Sequence, residues 1–109
     1  MSVVEFEFVF KNEHGLHARP AGELARKVNG LSSSVTITVQ RLNKSAPANK
    51  IFTLMGLGVT KGESVVVRVE GNNAYAEAEE LKRFMSNQFA EGGVGKSLEN
   101  GRLKQFGDN

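Results

Sequence analysis

No cysteine occurs in the 109 residues, which excludes a disulfide scaffold and any thiolate metal site. Histidine occurs only twice, so imidazole and thiolate ligands are too few for a metal site, and no metal is expected. Tryptophan is absent and the net charge is only +2, despite a pI near 9.1. Nucleic-acid binders carry a denser basic stripe with aromatics to stack on, so no nucleic-acid partner is expected. Long apolar runs are missing too: residues 3–10 are interrupted by Glu5 and Glu7, and no stretch approaches the length of a membrane span. Nothing reads as a signal peptide, so membrane insertion is not expected and a cytoplasmic home is.

What is present is ordinary globular material, 39% hydrophobic and 24% charged, in a length that suits one domain with one core. Phe6, Phe8 and Phe10 alternate with Glu5, Glu7 and Val9, the period of a half-buried strand. A polar turn over residues 11–15 follows. From Ala18 the period becomes helical, with Ala21, Leu24, Ala25 and Val28 on one face and Gly30 as the stop. Val35, Ile37 and Val39 mark a second strand. Residues 45–48 suit a short strand that Pro47 restricts to a sheet edge.

Ile51, Phe52, Leu54 and Met55 suggest one or two helical turns, closed by Gly56 and Gly58; Leu54 and Leu57 are the core candidates. Val65, Val67 and Val69 mark the next strand. Asn73 suits the N-cap of a last helix that buries Ala74, Ala78, Leu81 and Met85. Its acids come early and its bases late, as the helix dipole favours. The order β-α-β-β-α-β-α reads as an α+β domain over residues 1–89, one sheet with helices on a single face. Residues 90–109, rich in Gly and Asn, read as a flexible tail.

The chemistry concentrates at Gly15-Leu16-His17-Ala18-Arg19-Pro20-Ala21. His17 precedes the first helical residue, where backbone N–H groups without helical partners make an anion site. Pro20 is tolerated because a first-turn N–H is unpaired anyway. Arg19 can bring a guanidinium fork to the same place. A neutral imidazole is a competent nucleophile toward phosphorus. A phosphoryl group on it would meet amides, the helix dipole and Arg19, each contributing on the order of 1 kcal/mol. That is enough to position the group without trapping it. On chemistry alone, a histidine before a helix is most often a cap or a surface residue.

A resemblance points the other way. The segment from Gly15 to Ala21 resembles the active-site signature of the HPr family, the histidine-containing phosphocarriers of the bacterial phosphoenolpyruvate:sugar phosphotransferase system. Residues 3–89 are similar to the whole HPr domain in element order, and Lys61-Gly62 after Leu57-Gly58-Val59 fits the family's second characteristic stretch. The resemblance implies an open-faced β-sandwich, a four-stranded antiparallel sheet covered by three helices. It implies that phospho-enzyme I phosphorylates Nδ1 of His17 and that a histidine of enzyme IIA accepts the group in turn. Arg19 would steady the phosphoryl group, with Gly15, Ala18 and Pro20 in support. The chain would be a carrier acted on by other enzymes, with no turnover and no cofactor of its own. A monomer is the family expectation.

The resemblance further implies docking through Ile51, Phe52 and Met55 beside the histidine. Phe52 and Met55 suit either the core or an exposed patch. Arg26 and Lys27 are expected on the exposed side of the first helix, facing acidic surfaces of enzyme I and enzyme IIA. Many relatives carry a regulatory serine at the start of the second helix. Lys50 stands there in this sequence, so a serine-directed kinase is expected to leave the position unmodified. Two other readings stand beside the carrier. One is a regulatory docking module that binds regulatory proteins through the same surface. The other is nucleotide binding by residues 90–97, a relaxed P-loop pattern that lacks the preceding strand and following helix. His14 reads as a loop residue rather than a second phosphoryl site, since no helix turn follows it.

Overall fold

The computed structural model describes residues 1–89 and 104–107. Its elements are β1 (Ser2–Val9), α1 (Ala18–Asn29), β2 (Ser34–Val39), β3 (Lys44–Pro47), α2 (Ile51–Met55), β4 (Ser64–Gly71), α3 (Ala74–Phe89) and β5 (Lys104–Gly107). Strand order across the sheet is β3-β2-β4-β1-β5, with every pairing antiparallel.

The alternating residues of the sequence become rows of the core. Val4, Val69 and Val35 stand in register, as do Phe6, Val67 and Ile37, and then Phe8, Val65 and Val39. All nine are buried, and each large apolar side chain so placed contributes roughly 1.5–3 kcal/mol. Ala21, Leu24, Ala25 and Val28 of α1 join the same core, as do Ala74, Ala78, Leu81, Met85 and Phe89 of α3. Leu54 and Leu57 are buried as expected, and β3 is an edge strand, where Pro47 deprives no inner ladder of an N–H.

Glu77, in the first turn of α3, fastens the α1–β2 loop. Its carboxylate accepts from the backbone N–H and hydroxyl of both Ser32 and Ser33. Burial pushes this carboxyl up, yet the bonds from the two serines together outweigh burial and hold it below its ordinary value.

Two features differ from the sequence reading. The expected four-stranded antiparallel sheet is present as β3-β2-β4-β1 and is extended by a fifth strand: β5 lies within residues read as a flexible tail and pairs with Ser2–Glu5 of β1. The rest of that tail, including the P-loop-like residues 90–97, lies outside the described residues. The second difference is Lys27. Instead of standing free on α1, it is only 26% exposed, ion-paired to Glu80 of α3 and set 5.6 Å from the centre of the Phe84 ring. Among the described residues no helix is long and apolar enough to cross a membrane.

Candidate functional site

β1 and β2 run the same way on either side of β4, so α1 crosses over between them. Its N-terminus therefore returns to the end of the sheet where β1 finishes and β4 begins. Two loops meet there. The Phe10 N–H donates to the Glu63 carbonyl at 3.1 Å, and the Gly62 N–H to the Phe10 carbonyl at 2.6 Å.

The loop into α1 is fastened at several points. The Asn12 N–H donates to the Phe89 carbonyl at 3.0 Å, and the Gly15 N–H to the Asn12 carbonyl at 3.3 Å. The Asn12 side-chain amide donates to the Gly15 carbonyl at 2.9 Å. Gly15 takes φ +57°, and a Cβ there would stand 2.3 Å from the Val59 carbonyl oxygen. Glycine is required on both counts. Leu16 is buried, and its N–H donates to the same Val59 carbonyl at 3.1 Å.

His17 follows as the N-cap of α1, with extended backbone (φ −86°, ψ −169°) and a side chain that makes no capping bond. Its carbonyl accepts the first helical bond, from Ala21 N–H at 2.9 Å. The imidazole is exposed. The N–H groups of Ala18 and Arg19 have no acceptor within the helix, and Pro20 contributes none. An anion held by His17 would sit against those two amides, at the positive end of the α1 dipole.

The guanidinium of Arg19 lies along the helix, with Nε 3.5 Å from a Glu23 carboxylate oxygen and the side chain 89% exposed. An ion pair this exposed contributes less than about 1 kcal/mol, so the arginine can swing toward His17 at small cost. His14 is close by, its ring centre 5.5 Å from that of His17. The sequence reading treated it as a loop residue. Only the fastened turn of residues 12–15 reveals the pairing.

Beside the site, α2 packs along α1 where Gly22 leaves room: a Cβ on Gly22 would lie 3.9 Å from Ile51 Cδ1. At 1.5 Å per residue, Gly22 is about 7.5 Å along the helix from His17. Ile51 is 41% exposed, Phe52 86% and Met55 37%, so three of the apolar side chains on α2 face outward while Leu54 goes to the core. Arg26 is exposed and borders the groove between α1 and α2, with Asn29, Lys50 and Phe52. Lys50 is the N-cap of α2 and makes no side-chain capping bond. The structure thus brings Arg26, Ile51 and Phe52 to one groove, leaves Met55 exposed on α2, and packs Lys27 against α3.

A family model described as "PTS HPr component phosphorylation site" matches residues 4–87. The chain is 36% identical over 73 residues to the phosphocarrier protein HPr of Vibrio cholerae, covering 67% of this chain and 84% of that one. It is 33% identical over 85 residues to the multiphosphoryl transfer protein of Haemophilus influenzae, covering 77% of this chain. The chain spans only 17% of the length of that relative, and 23% of its Escherichia coli counterpart. Among solved structures it resembles that of HPr-C-His from Thermoanaerobacter tengcongensis, with TM-score 0.71 and 30% identity over 78% of this chain and 93% of the other.

Proposed function

Because the chain belongs to the HPr family of the phosphotransferase system, we propose that it carries a phosphoryl group on His17, receiving it from phospho-enzyme I and passing it to a histidine of an enzyme IIA. The observation that carries this reading is the exposed imidazole at the N-cap of α1, beside the first-turn amides of Ala18 and Arg19, which have no acceptor within the helix.

In each step a P–N bond to the donor imidazole breaks as a P–N bond to the acceptor imidazole forms. The attacking nitrogen needs a free lone pair; with Nδ1 as the attacking atom, as the family resemblance implies, the ring proton sits on Nε2. The donor keeps the electron pair of the broken bond. Transfer of this kind depends on alignment and on positive charge around the group in flight more than on acid–base chemistry. The exposure of His17 lets two proteins close upon it, and the α1 amides meet the charge wherever the group stands. Ile51, Phe52, Met55 and Arg26 supply the docking face, and the system it serves is sugar uptake in the bacterial cytoplasm. Lys27, held by Glu80 and Phe84, is left out of that face.

The deciding experiment is intact mass and 31P NMR after incubation with phosphoenolpyruvate and enzyme I, run beside His17→Ala. One acid-labile, alkali-stable phosphoryl group, absent from the variant, is the expected result. A folded protein that takes up no phosphoryl group from several enzyme I sources would instead leave a docking module that uses the same face.

A further inference from the structure

The donors that α1 offers at His17 are few. A phosphoryl group presents three strong acceptor oxygens. The first turn supplies the N–H groups of Ala18 and Arg19 and, because of Pro20, no third. The Arg19 guanidinium rests toward Glu23 and, swung back, still arrives from the helix side. Beside the imidazole lies a different group, the ring of the loop residue His14, 5.5 Å away between centres and tilted by 46°.

That placement is not left to a mobile loop. Asn12 on one side of His14 is bound to the Phe89 and Gly15 carbonyls, and Gly15 on the other is packed against Val59. Little backbone ordering remains to be done when an anion arrives. The tilt excludes face-to-face stacking, and His14 is exposed, so rotation about its side-chain torsions can bring a ring nitrogen to an oxygen standing off His17. Neutral imidazole always carries one N–H, and imidazolium two.

We propose that His14 donates an imidazole N–H to an oxygen of the phosphoryl group on His17, completing from the loop side the cradle that the α1 amides begin. The inference rests on the reading of His17 as the carrier. No bond to phosphorus forms or breaks at His14. Its contact is present only in the phosphorylated state, so it stabilises that state relative to the free one. A hydrogen bond to a charged acceptor contributes about 1–2 kcal/mol.

The test is the equilibrium constant for phosphoryl exchange with enzyme I, together with the 31P resonance of the phosphohistidine. Wild type is compared with His14→Phe, which keeps a flat ring and has no N–H, and with His14→Gln, which keeps a donor. An equilibrium constant does not depend on how well the partners dock, so it separates phosphoryl contact from surface effects. The expected result is a shift of roughly five- to thirty-fold toward phospho-enzyme I in His14→Phe, a displaced 31P resonance, and substantial recovery in His14→Gln. An unchanged constant and resonance in His14→Phe overturns the proposal, as does a Gln variant impaired as much as Phe. Failure of the carrier reading would look different: wild type itself would take up no phosphoryl group at His17.

Discussion

Gly15 lies so close to Val59 that the carbonyl oxygen of Val59 occupies the space a side chain at position 15 would need, 2.3 Å from the site of a Cβ. The same carbonyl accepts the Leu16 N–H. One peptide group from the loop before β4 thereby sets where the chain enters α1, and so where His17 stands. Gly15→Ala combines this collision with a φ of +57°, and is expected to cost about 2–4 kcal/mol of stability. Chemical denaturation gives the value. A loss under 1 kcal/mol would mean that the loop shifts freely and does not fix the site.

His17→Ala is expected to leave the fold intact, because the imidazole is exposed and caps nothing. The change in unfolding free energy should stay within about 0.5 kcal/mol, while phosphoryl uptake disappears. Denaturation and intact mass on the same sample separate the two effects. A large loss of stability would assign His17 a structural role instead.

The elements were legible where a single period decides them. Phe6 and Phe8 alternate along β1, and Ala21, Leu24, Ala25 and Val28 share one helical stripe. The candidate phosphoryl site stood out as a motif because Gly15 to Ala21 are contiguous. Three things were not. Lys27 finds its partner in Glu80, 53 residues later, and local spacing cannot show which cation a distant helix will claim. His14 meets His17 only through a turn fastened by Phe89 and Val59, both remote in sequence. The strand at Lys104–Gly107 has no alternating pattern of its own, and its place comes from an open ladder on β1.

Phe52 is 86% exposed and can contribute little to the core, so Phe52→Ser should change stability by no more than about 0.5 kcal/mol. As an anchor of the proposed docking face, its loss should weaken the proposed complex with enzyme I about tenfold. The KM for this protein in the enzyme I reaction reports it, with kcat little changed. Unaltered KM would move the docking face elsewhere.

Glu77 ties stability to pH. Its carboxyl is held below the ordinary value in the folded protein, so its contribution is fully present above the unfolded value, about 4.3, and is lost as pH falls through the folded one. Glu77→Gln should lower the thermal midpoint at pH 7, and the gap to wild type should narrow in acid. Midpoints measured from pH 7 to pH 3 test this; a gap that stays constant would show that the carboxylate charge plays no part.

Pairing on both flanks gives the first strand an asymmetry in time. Between Ser2 and Glu5, β1 lies between β4 and β5, and successive backbone N–H groups of a strand point to opposite neighbours. In deuterated water, hydrogens aimed at β4 exchange only when the central sheet opens. Those aimed at β5 exchange whenever the short outer strand lifts away. Adjacent residues of one strand thus keep two separate clocks, one for the sheet and one for the segment that borders it.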